Sequence, residues 1–191
     1  KEGARPNPQR VEAIEAIQAP QSPKELLGIA TYMAPFIPKL SMLTAPMREL
    51  MKKDAEFEWT PSHLEAFINV KKMMAHEVTL AYYNVNKPTV IEVDASLKGV
   101  GAALLQEGRV IAFSSKALTE TEQRYANIER EMLAVVLACE KFHMYVYGKP
   151  FVVESDHKPL EMIHLKNLMS APPRLQRMLL RLQGYNVTIR Y

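Results

Sequence analysis

The segment "PTVIEVDASLKGVGAALLQ", Pro88 to Gln106, decides the fold class, because an apolar β-branched run ends abruptly in a carboxylate. Asp94 closes the first run, small residues and glycines follow, and a second β-prone run begins at Gly99. This pattern predicts two strands joined by a tight turn. It also raises the question of why a strand should end in an aspartate.

The residues around this segment extend the pattern into an α/β domain. "RVIAFSS" is a third β-prone run, and Thr119 with Glu122 forms a capping box that opens a long helix from about Glu120 to Tyr147. "PFVVESD" reads as a fourth strand, two helical segments follow, and "NVTIRY" reads as the last strand. The order βββαβααβ predicts a single mixed β-sheet covered by helices.

The N-terminal part is built differently, as short amphipathic helices that begin at proline-marked caps. The helices are expected to begin at Asn7–Pro8, at Ser22–Pro23 with Glu25 in the capping box, at Leu43 (running to Lys52), and at Thr60–Pro61 (running to about His76). We therefore predict a small all-α region over residues 1–82 and an α/β domain over residues 83–191. No catalytic constellation is recognisable in the helical region, which favours a packing or positioning role.

Composition excludes several classes of protein. The longest apolar run, Met132 to Cys139, is far shorter than the roughly 20 residues of a membrane span, so no membrane partner is expected. The single cysteine, Cys139, excludes an internal disulfide and a thiolate zinc cluster, which favours a reducing, intracellular and cytoplasmic location with the nucleus as an alternative. The chain opens without Met or a leader, and we expect it to be a piece of a longer polypeptide.

Glu131 is the most unusual acid of the long helix. On a helical wheel it falls within the apolar face, whereas Glu129 and Glu140 fall on the opposite side, where solvated acids belong. The apolar face is formed by Ile128, Val135, Ala138, Cys139 and Phe142. A buried carboxylate is costly unless a positive charge meets it. From the wheel alone, Glu131 could equally lie at the fringe of this face and pair with a lysine.

Asp156 ends the fourth strand much as Asp94 ends the first, and a helix packed on the sheet can bring Glu131 to the same place. Three converging carboxylates repel one another unless hard cations such as Mg²⁺ neutralise them. Such a site suits two-metal hydrolysis of a phosphodiester, with Mn²⁺ as the alternative ion. The small residues Ser96 and Gly99 would let a nucleic-acid backbone approach.

A basic helix follows in the C-terminal part. No acidic residue occurs after Glu161, and Arg174, Arg177 and Arg181 share one helical face. This face either grips phosphates or is simply solvated, and the absence of nearby acids in the sequence favours phosphate.

The residues that carry these features resemble a known family. "IEVDASLKGVGAALLQ", "IAFSSKALTETEQRYANIEREMLAVVLACEKFHMYVYG", "FVVESDHKPLEMI" and "RLQRMLLRLQGYN" are similar to the ribonuclease H domain of Ty3/gypsy retrotransposon reverse transcriptases. The helical stretch "GIATYMAPFIPKLSMLTAPMRELMKKDAEFEWT" is similar to the thumb and connecting region of the same polyprotein. The resemblance covers essentially the whole chain.

The resemblance implies a ribonuclease H-like mixed sheet and endonucleolytic cleavage of the RNA strand of an RNA/DNA hybrid. The catalytic, metal-binding acids it implies are Asp94 in "VDAS", Glu131 in "REMLAVV" and Asp156 in "SDHKPL", with two Mg²⁺ ions. Partners would be the hybrid and the fingers and palm of the reverse transcriptase, with homodimerisation and a virus-like particle left open. Selecting a hybrid requires sensing 2′-hydroxyls, for which amides near Gly99 and the side chains of Ser96 and Asn127 are candidates.

Three departures from the family leave a second hypothesis open. The family continues past its last strand to a helix with a fourth acid in an "ADALSR"-like motif, which we expect to be missing here. The thumb-like "KELLGIATYM" is about three residues shorter than usual, "TYMAPF" lacks the common Arg before Phe, and no Tyr-x-Asp-Asp polymerase motif occurs. The alternative to a ribonuclease is thus a truncated, degenerate or domesticated module that binds nucleic acid or assists assembly without catalysis.

Overall fold

The computed structural model describes residues 8–52, 55–75, 80–165 and 171–191. Nine α-helices lie within these residues: α1 Pro8–Glu15, α2 Pro23–Met33, α3 Leu40–Leu43, α4 Pro61–Ala75, α5 Glu120–Gln123, α6 Asn127–Lys141, α7 His143–Val146, α8 Pro159–Leu165 and α9 Pro173–Leu182. Two 3₁₀ helices span Ala34–Phe36 and Pro46–Met51. The strands are β1 Val90–Ala95, β2 Gly99–Gln106, β3 Arg109–Ala117, β4 Pro150–Ser155 and β5 Asn186–Arg190.

The five strands form one mixed sheet in the order β3-β2-β1-β4-β5. The pairs β1–β2 and β2–β3 are antiparallel, whereas β1–β4 and β4–β5 are parallel. Glu107 and Gly108 form the tight turn between β2 and β3 with φ angles of 52° and 70°, the left-handed backbone that such a two-residue hairpin favours. The predicted mixed-sheet α/β architecture is confirmed.

Helix α6 packs across β1 and β2 and supplies the centre of the larger hydrophobic core. Met132, Val135, Ile91 and Val153 are completely buried there. Helix α9 packs against α6, and α8 packs against β5 and α6, so these helices cover one face of the sheet. The alternating burial of β4 and β5 leaves the opposite face of these two strands exposed.

The predicted continuous helix from Glu120 to Tyr147 is wrong, because the structure divides it into α5, α6 and α7. Ala126 breaks the first junction with an extended backbone (ψ 154°), and its N–H donates to the Glu129 carboxylate at 3.0 Å. Phe142 breaks the second junction. The predicted capping box of Thr119 and Glu122 is confirmed at the start of α5. Neither break contains a glycine or a proline, so the sequence pattern did not reveal the two breaks.

The helical region has a hydrophobic core of its own, built around Met33, Ile37 and Met47. Ser22 caps α2 as predicted, accepting a hydrogen bond from the Glu25 N–H at 3.3 Å. The predicted caps and ends at Asn7 and His76 lie outside the described residues.

The helix predicted over residues 43–52 is wrong in type and boundaries. The structure has α3, then the turn at Thr44 and Ala45, then a 3₁₀ helix that begins at Pro46. Pro46 has no N–H to continue the hydrogen bonds of α3 but is well suited to start a new helix.

The helical region contacts the sheet directly through α3 and the 3₁₀ helix Ala34–Phe36, which pack on β3. The Ser41 N–H donates to the Ser115 hydroxyl at 2.8 Å across this contact. The proposed division between residues 82 and 83 stays a prediction. Among the described residues, no helix is long and apolar enough to span a membrane.

Candidate active site

Asp94 lies near the end of β1 on the face of the sheet that α6 does not cover. Ile91 and Val93 point into the core, and the alternation of the strand therefore turns Glu92 and Asp94 to the other side. The side chain of Asp94 is 48% exposed. A strand that ends here can present a carboxylate to a ligand while its apolar residues anchor it.

Asp156 follows β4 directly, and the sheet register places it beside Asp94. Val93 of β1 pairs with Ser155 of β4 in parallel orientation. Asp94 and Asp156 are each one residue beyond this pair, so both residues lie at the carboxyl ends of two neighbouring parallel strands. The two strand-end aspartates predicted from sequence are therefore neighbours.

Glu131 reaches the site from the first half of α6 and is only 4% exposed. Its Oε2 atom is buried and has no hydrogen-bond partner among the residues that the structure describes. The helical-wheel prediction that Glu131 lies on the packed face is confirmed, and the alternative of a fringe glutamate paired with a lysine is not what the structure contains.

The acidity of Glu131 reflects both its burial and its neighbours. The pKa of Glu131 is raised to about 7, chiefly by burial and also by the negative charges of Asp156 and Asp94, while Arg130 opposes the shift. Since both aspartates act on Glu131 electrostatically, the three carboxyl groups form one coupled site.

A groove of about 250 Å³ opens beside Asp94 on the uncovered face of the sheet. Its lining includes Pro38, Lys39, Glu92, Gly101 and Phe113. Lys39 comes from the helical region and forms an ion pair with the Asp94 carboxylate. The groove is thus shared between the sheet and the helical region.

The three carboxyl groups fit a hard cation in their chemistry. They offer only oxygen ligands, and the orphaned Oε2 of Glu131 is an atom for which a cation would supply the missing partner. As the side chains stand, no group of three or more His, Cys, Asp or Glu residues in the described part of the chain is arranged to hold a metal ion. Asp94 has Lys39 as its cationic partner.

Comparison with known proteins identifies the family of the chain. The family described as the RNase H-like domain found in reverse transcriptase matches residues 84–185. The chain belongs to this family. The Retrovirus-related Pol polyprotein from transposon 297 of Drosophila melanogaster is 34% identical over 194 residues, which cover 100% of the chain and 18% of the polyprotein. The Transposon Tf2-3 polyprotein of Schizosaccharomyces pombe is 30% identical over 175 residues, covering 88% of the chain and 13% of the polyprotein.

These relatives confirm the resemblance to Ty3/gypsy-type polyproteins, and the chain spans less than a fifth of their length. Solved structures agree on the fold. A foamy viral protease-reverse transcriptase in complex with RNA/DNA hybrid matches 97% of the chain with a TM-score of 0.80 at 22% identity, covering 27% of that protein. The form called dRH, in complex with ds DNA, matches 97% with a TM-score of 0.81 at 21% identity, covering 34% of that protein. These matches therefore include the helical region as well as the RNase H-like domain.

The structure gives Ser96 and Gly99 structural roles in the RNase H-like domain. The Ser96 hydroxyl accepts hydrogen bonds from the N–H groups of Lys98 at 3.3 Å and of Gly99 at 3.0 Å, closing the β1–β2 turn. A Cβ at Gly99 would lie 3.1 Å from the Lys116 carbonyl oxygen and 3.2 Å from the Ser41 hydroxyl. Close packing of β3 and of the helical region accounts for a residue without a Cβ here, and the predicted 2′-hydroxyl contacts of both residues remain predictions.

Asn127, the third predicted contact to the hybrid, is exposed at the first position of α6. Its side-chain oxygen accepts a hydrogen bond from Arg130 at 2.9 Å. The predicted contact of Asn127 with the hybrid stays a prediction.

The predicted arginine face of α9 is not simply basic. Arg174 donates from one nitrogen, Nη1, to both carboxylate oxygens of Glu129 at 2.8 and 2.9 Å, and its guanidinium lies 4.1 Å from the centre of the Tyr125 ring. Arg181 makes a bidentate contact to Glu140 at 2.7 and 2.9 Å. The sequence has no acid close to these arginines, but the fold brings two glutamates of α6 against them. The expectation that acids are absent near this face is therefore wrong.

Arg177 differs from the other two arginines. It is exposed, and its Nε donates to the Pro173 carbonyl at 3.3 Å. Whether the three arginines bind phosphate stays a prediction, for which Arg177 is the best placed.

Lys39 is the site residue that sequence reasoning missed. It lies in the part of the chain interpreted as a packing module, and no charge pattern near it marks it as special. Only the packing of the helical region on β2 and β3 brings it to Asp94.

Proposed function

We propose that this chain is the ribonuclease H domain of a retrotransposon reverse transcriptase, with the preceding helical region as its connection to the polymerase. The reaction would be endonucleolytic hydrolysis of the RNA strand in an RNA/DNA hybrid. The observation that carries the proposal is the coupling of a buried, unpartnered Glu131 to two strand-end aspartates, Asp94 and Asp156. A purely structural site has no need to gather three acids that repel one another.

Asp94, Glu131 and Asp156 would hold two divalent cations, Mg²⁺ or Mn²⁺, which when bound supply an activated water and stabilisation of the leaving oxygen. Glu131 has to be ionised to act as a ligand, and cations favour that form. The aspartates, fixed at the ends of β1 and β4, orient the cleavage position relative to the sheet. The groove beside Asp94 gives this edge of the sheet access to a bound strand.

The substrate and partners rest on the comparisons together with the site. A foamy viral relative of the same fold was solved with an RNA/DNA hybrid, and the polyprotein relatives are much longer than this chain. We therefore propose the hybrid as substrate and the fingers and palm of the same reverse transcriptase as the natural partner. The buried lone thiol of Cys139 accords with an intracellular setting.

The decisive experiment is cleavage of an end-labelled RNA/DNA hybrid with Mg²⁺ or Mn²⁺. The chain, and a version extended through a family-type C-terminal helix, would be compared with their Asp94→Asn and Glu131→Gln variants. Glu154→Gln is the matched control, because it removes an exposed carboxylate two positions before Asp156. We expect Asp94→Asn and Glu131→Gln to abolish cutting without weakening hybrid binding, and Glu154→Gln to leave it unchanged.

The second function, a non-catalytic binding or assembly module, has one observation in its favour. No group of three or more His, Cys, Asp or Glu side chains is arranged around a metal position among the described residues, and Lys39 neutralises Asp94. If the parent chain and the extended version bind hybrid and neither cuts it with either cation, this second function is correct and the ribonuclease proposal is not.

A further inference from the structure

The ion pair between Lys39 and Asp94 links the helical region to the proposed catalytic site. Lys39 Nζ contacts Asp94 Oδ2, and the two side chains are 54% and 48% exposed. Both residues line the same groove. A positive charge from outside the α/β domain therefore neutralises one of the three acids.

The backbone of Lys39 lies in a well-packed part of the helical region. Its backbone is left-handed, with φ 51° and ψ 30°, which is an uncommon conformation for a residue other than glycine. Ile37 and Leu40 on either side are buried in the core of the helical region. The Ser41 N–H, two residues away, is hydrogen-bonded to Ser115 of β3. The ammonium group is thus presented to Asp94 by two packed elements.

A divalent cation that bound the Asp94 carboxylate would compete with Lys39, whose Nζ contacts the Oδ2 atom. The ammonium group of Lys39 and the cation would repel each other on one carboxylate, so Asp94 cannot bind both at full strength. We propose that Lys39 is a built-in competitor for the metal: it neutralises Asp94 in the metal-free protein and has to leave when a divalent cation binds. This inference rests on the proposed function, because it takes Asp94 to be a metal ligand.

Competition of this kind makes the helical region a regulator of metal occupancy. Any movement of α3 away from β3, for example when the rest of the polymerase or a nucleic acid binds, would withdraw the ammonium group and strengthen metal binding. Because both partners are half-exposed, the pair is weak, and its removal is expected to tighten cation binding by about two- to fivefold.

The test is a titration with Mn²⁺ alone, followed by the electron paramagnetic resonance signal of the free ion at about 0.15 M salt. We expect Lys39→Met and Lys39→Gln to bind Mn²⁺ about two- to fivefold more tightly than the parent chain, and Lys39→Arg to resemble the parent. Lys98→Met is the matched control: it removes an exposed lysine from the β1–β2 turn, and salt screens a charge that does not touch the carboxylates. In the Asp94→Asn background, Lys39→Met should have no effect.

A measurement on the parent chain removes any dependence on the folding of variants. Acetylation of lysines, read by mass spectrometry, should increase at Lys39 on addition of Mn²⁺ and stay constant at Lys98. Unchanged Mn²⁺ affinity in both Lys39 variants, an equal gain in Lys98→Met, constant acetylation of Lys39, or no Mn²⁺ binding by any chain would each overturn the inference. The hybrid-cleavage assay decides the proposed function separately, since metal competition can hold in a chain that does not cut.

Discussion

Asp94 and Asp156 each stand one residue beyond the Val93–Ser155 pair of two neighbouring parallel strands. The parallel pairing of β1 with β4 therefore sets the positions of both aspartates, Asp94 within β1 and Asp156 directly after β4. Glu131 is added from the helix that packs on the other side of β1. This construction places three acids with two rigid strands and one helix, which is the kind of support a precise metal site requires.

The shared position of Asp94 and Asp156 predicts strongly non-additive variants. If the proposed function is right, Asp94→Asn and Asp156→Asn should each lower hybrid cleavage by at least about 100-fold, because each would remove a proposed metal ligand from the same site. The double variant should lose little more than the worse single variant, since residues acting as one unit fail together. Single-turnover cleavage with saturating hybrid measures this. Multiplicative losses would mean that the two aspartates act independently, contrary to the geometry.

The raised pKa of Glu131 leads us to expect an unusual pH dependence of stability in the metal-free protein. Its folded pKa of about 7 lies above the ordinary value of 4.5, so the folded state binds the proton more tightly. The stability due to this group is fully present below about pH 4.5 and is lost as pH rises to about 7. Each pH unit in that window is worth about 1.4 kcal/mol, giving a loss of up to about 3 kcal/mol.

Glu131→Gln should remove this dependence, because the amide stays neutral at every pH. In EDTA at pH 8 the variant should be more stable than the parent by up to about 3 kcal/mol, with little difference at pH 4. Urea unfolding across this pH range measures the effect, with Glu154→Gln as the exposed-carboxylate control. A parent curve parallel to that of Glu131→Gln would show that Glu131 is ionised without cost.

Sequence reasoning reached the three acids because each leaves a local signal. Asp94 and Asp156 end β-prone runs, and Glu131 interrupts an apolar helical face. Lys39 leaves none, since its partner is distant in the chain and only packing joins them. For the same reason the charge count along the C-terminal part missed the pairing of Arg174 with Glu129. Contacts between elements are decided by tertiary structure, which local patterns do not contain.

The arginines of α9 should separate into structural and nucleic-acid-binding residues. Arg174→Ala should lower the free energy of unfolding by about 1 kcal/mol, because it removes an ion pair with Glu129 and a cation–π contact with Tyr125. Arg177→Ala should change stability by less than about 0.5 kcal/mol.

Hybrid binding distinguishes the same two variants. If Arg177 contacts a phosphate, Arg177→Ala should weaken binding and lower the slope of log affinity against log salt by about 1. Fluorescence anisotropy at several salt concentrations measures both quantities. An unchanged slope would remove Arg177 from the predicted phosphate-binding face.

Gly99 should prove sensitive to a single methyl group, because β3 and the helical region both pack closely against it. A Cβ there would press on the Lys116 carbonyl and the Ser41 hydroxyl, and the backbone carbonyl cannot move aside cheaply. We expect Gly99→Ala to destabilise the chain by about 1 to 3 kcal/mol. Gly28→Ala is the contrasting control, because a Cβ at Gly28 meets nothing within 4 Å and alanine favours helix α2 by up to about 1 kcal/mol. Thermal unfolding of both variants decides the point. If Gly99→Ala is as stable as the parent but no longer binds hybrid, the glycine serves nucleic acid after all, and the helical region does not press on β2 as closely as the packing of Ser41 requires.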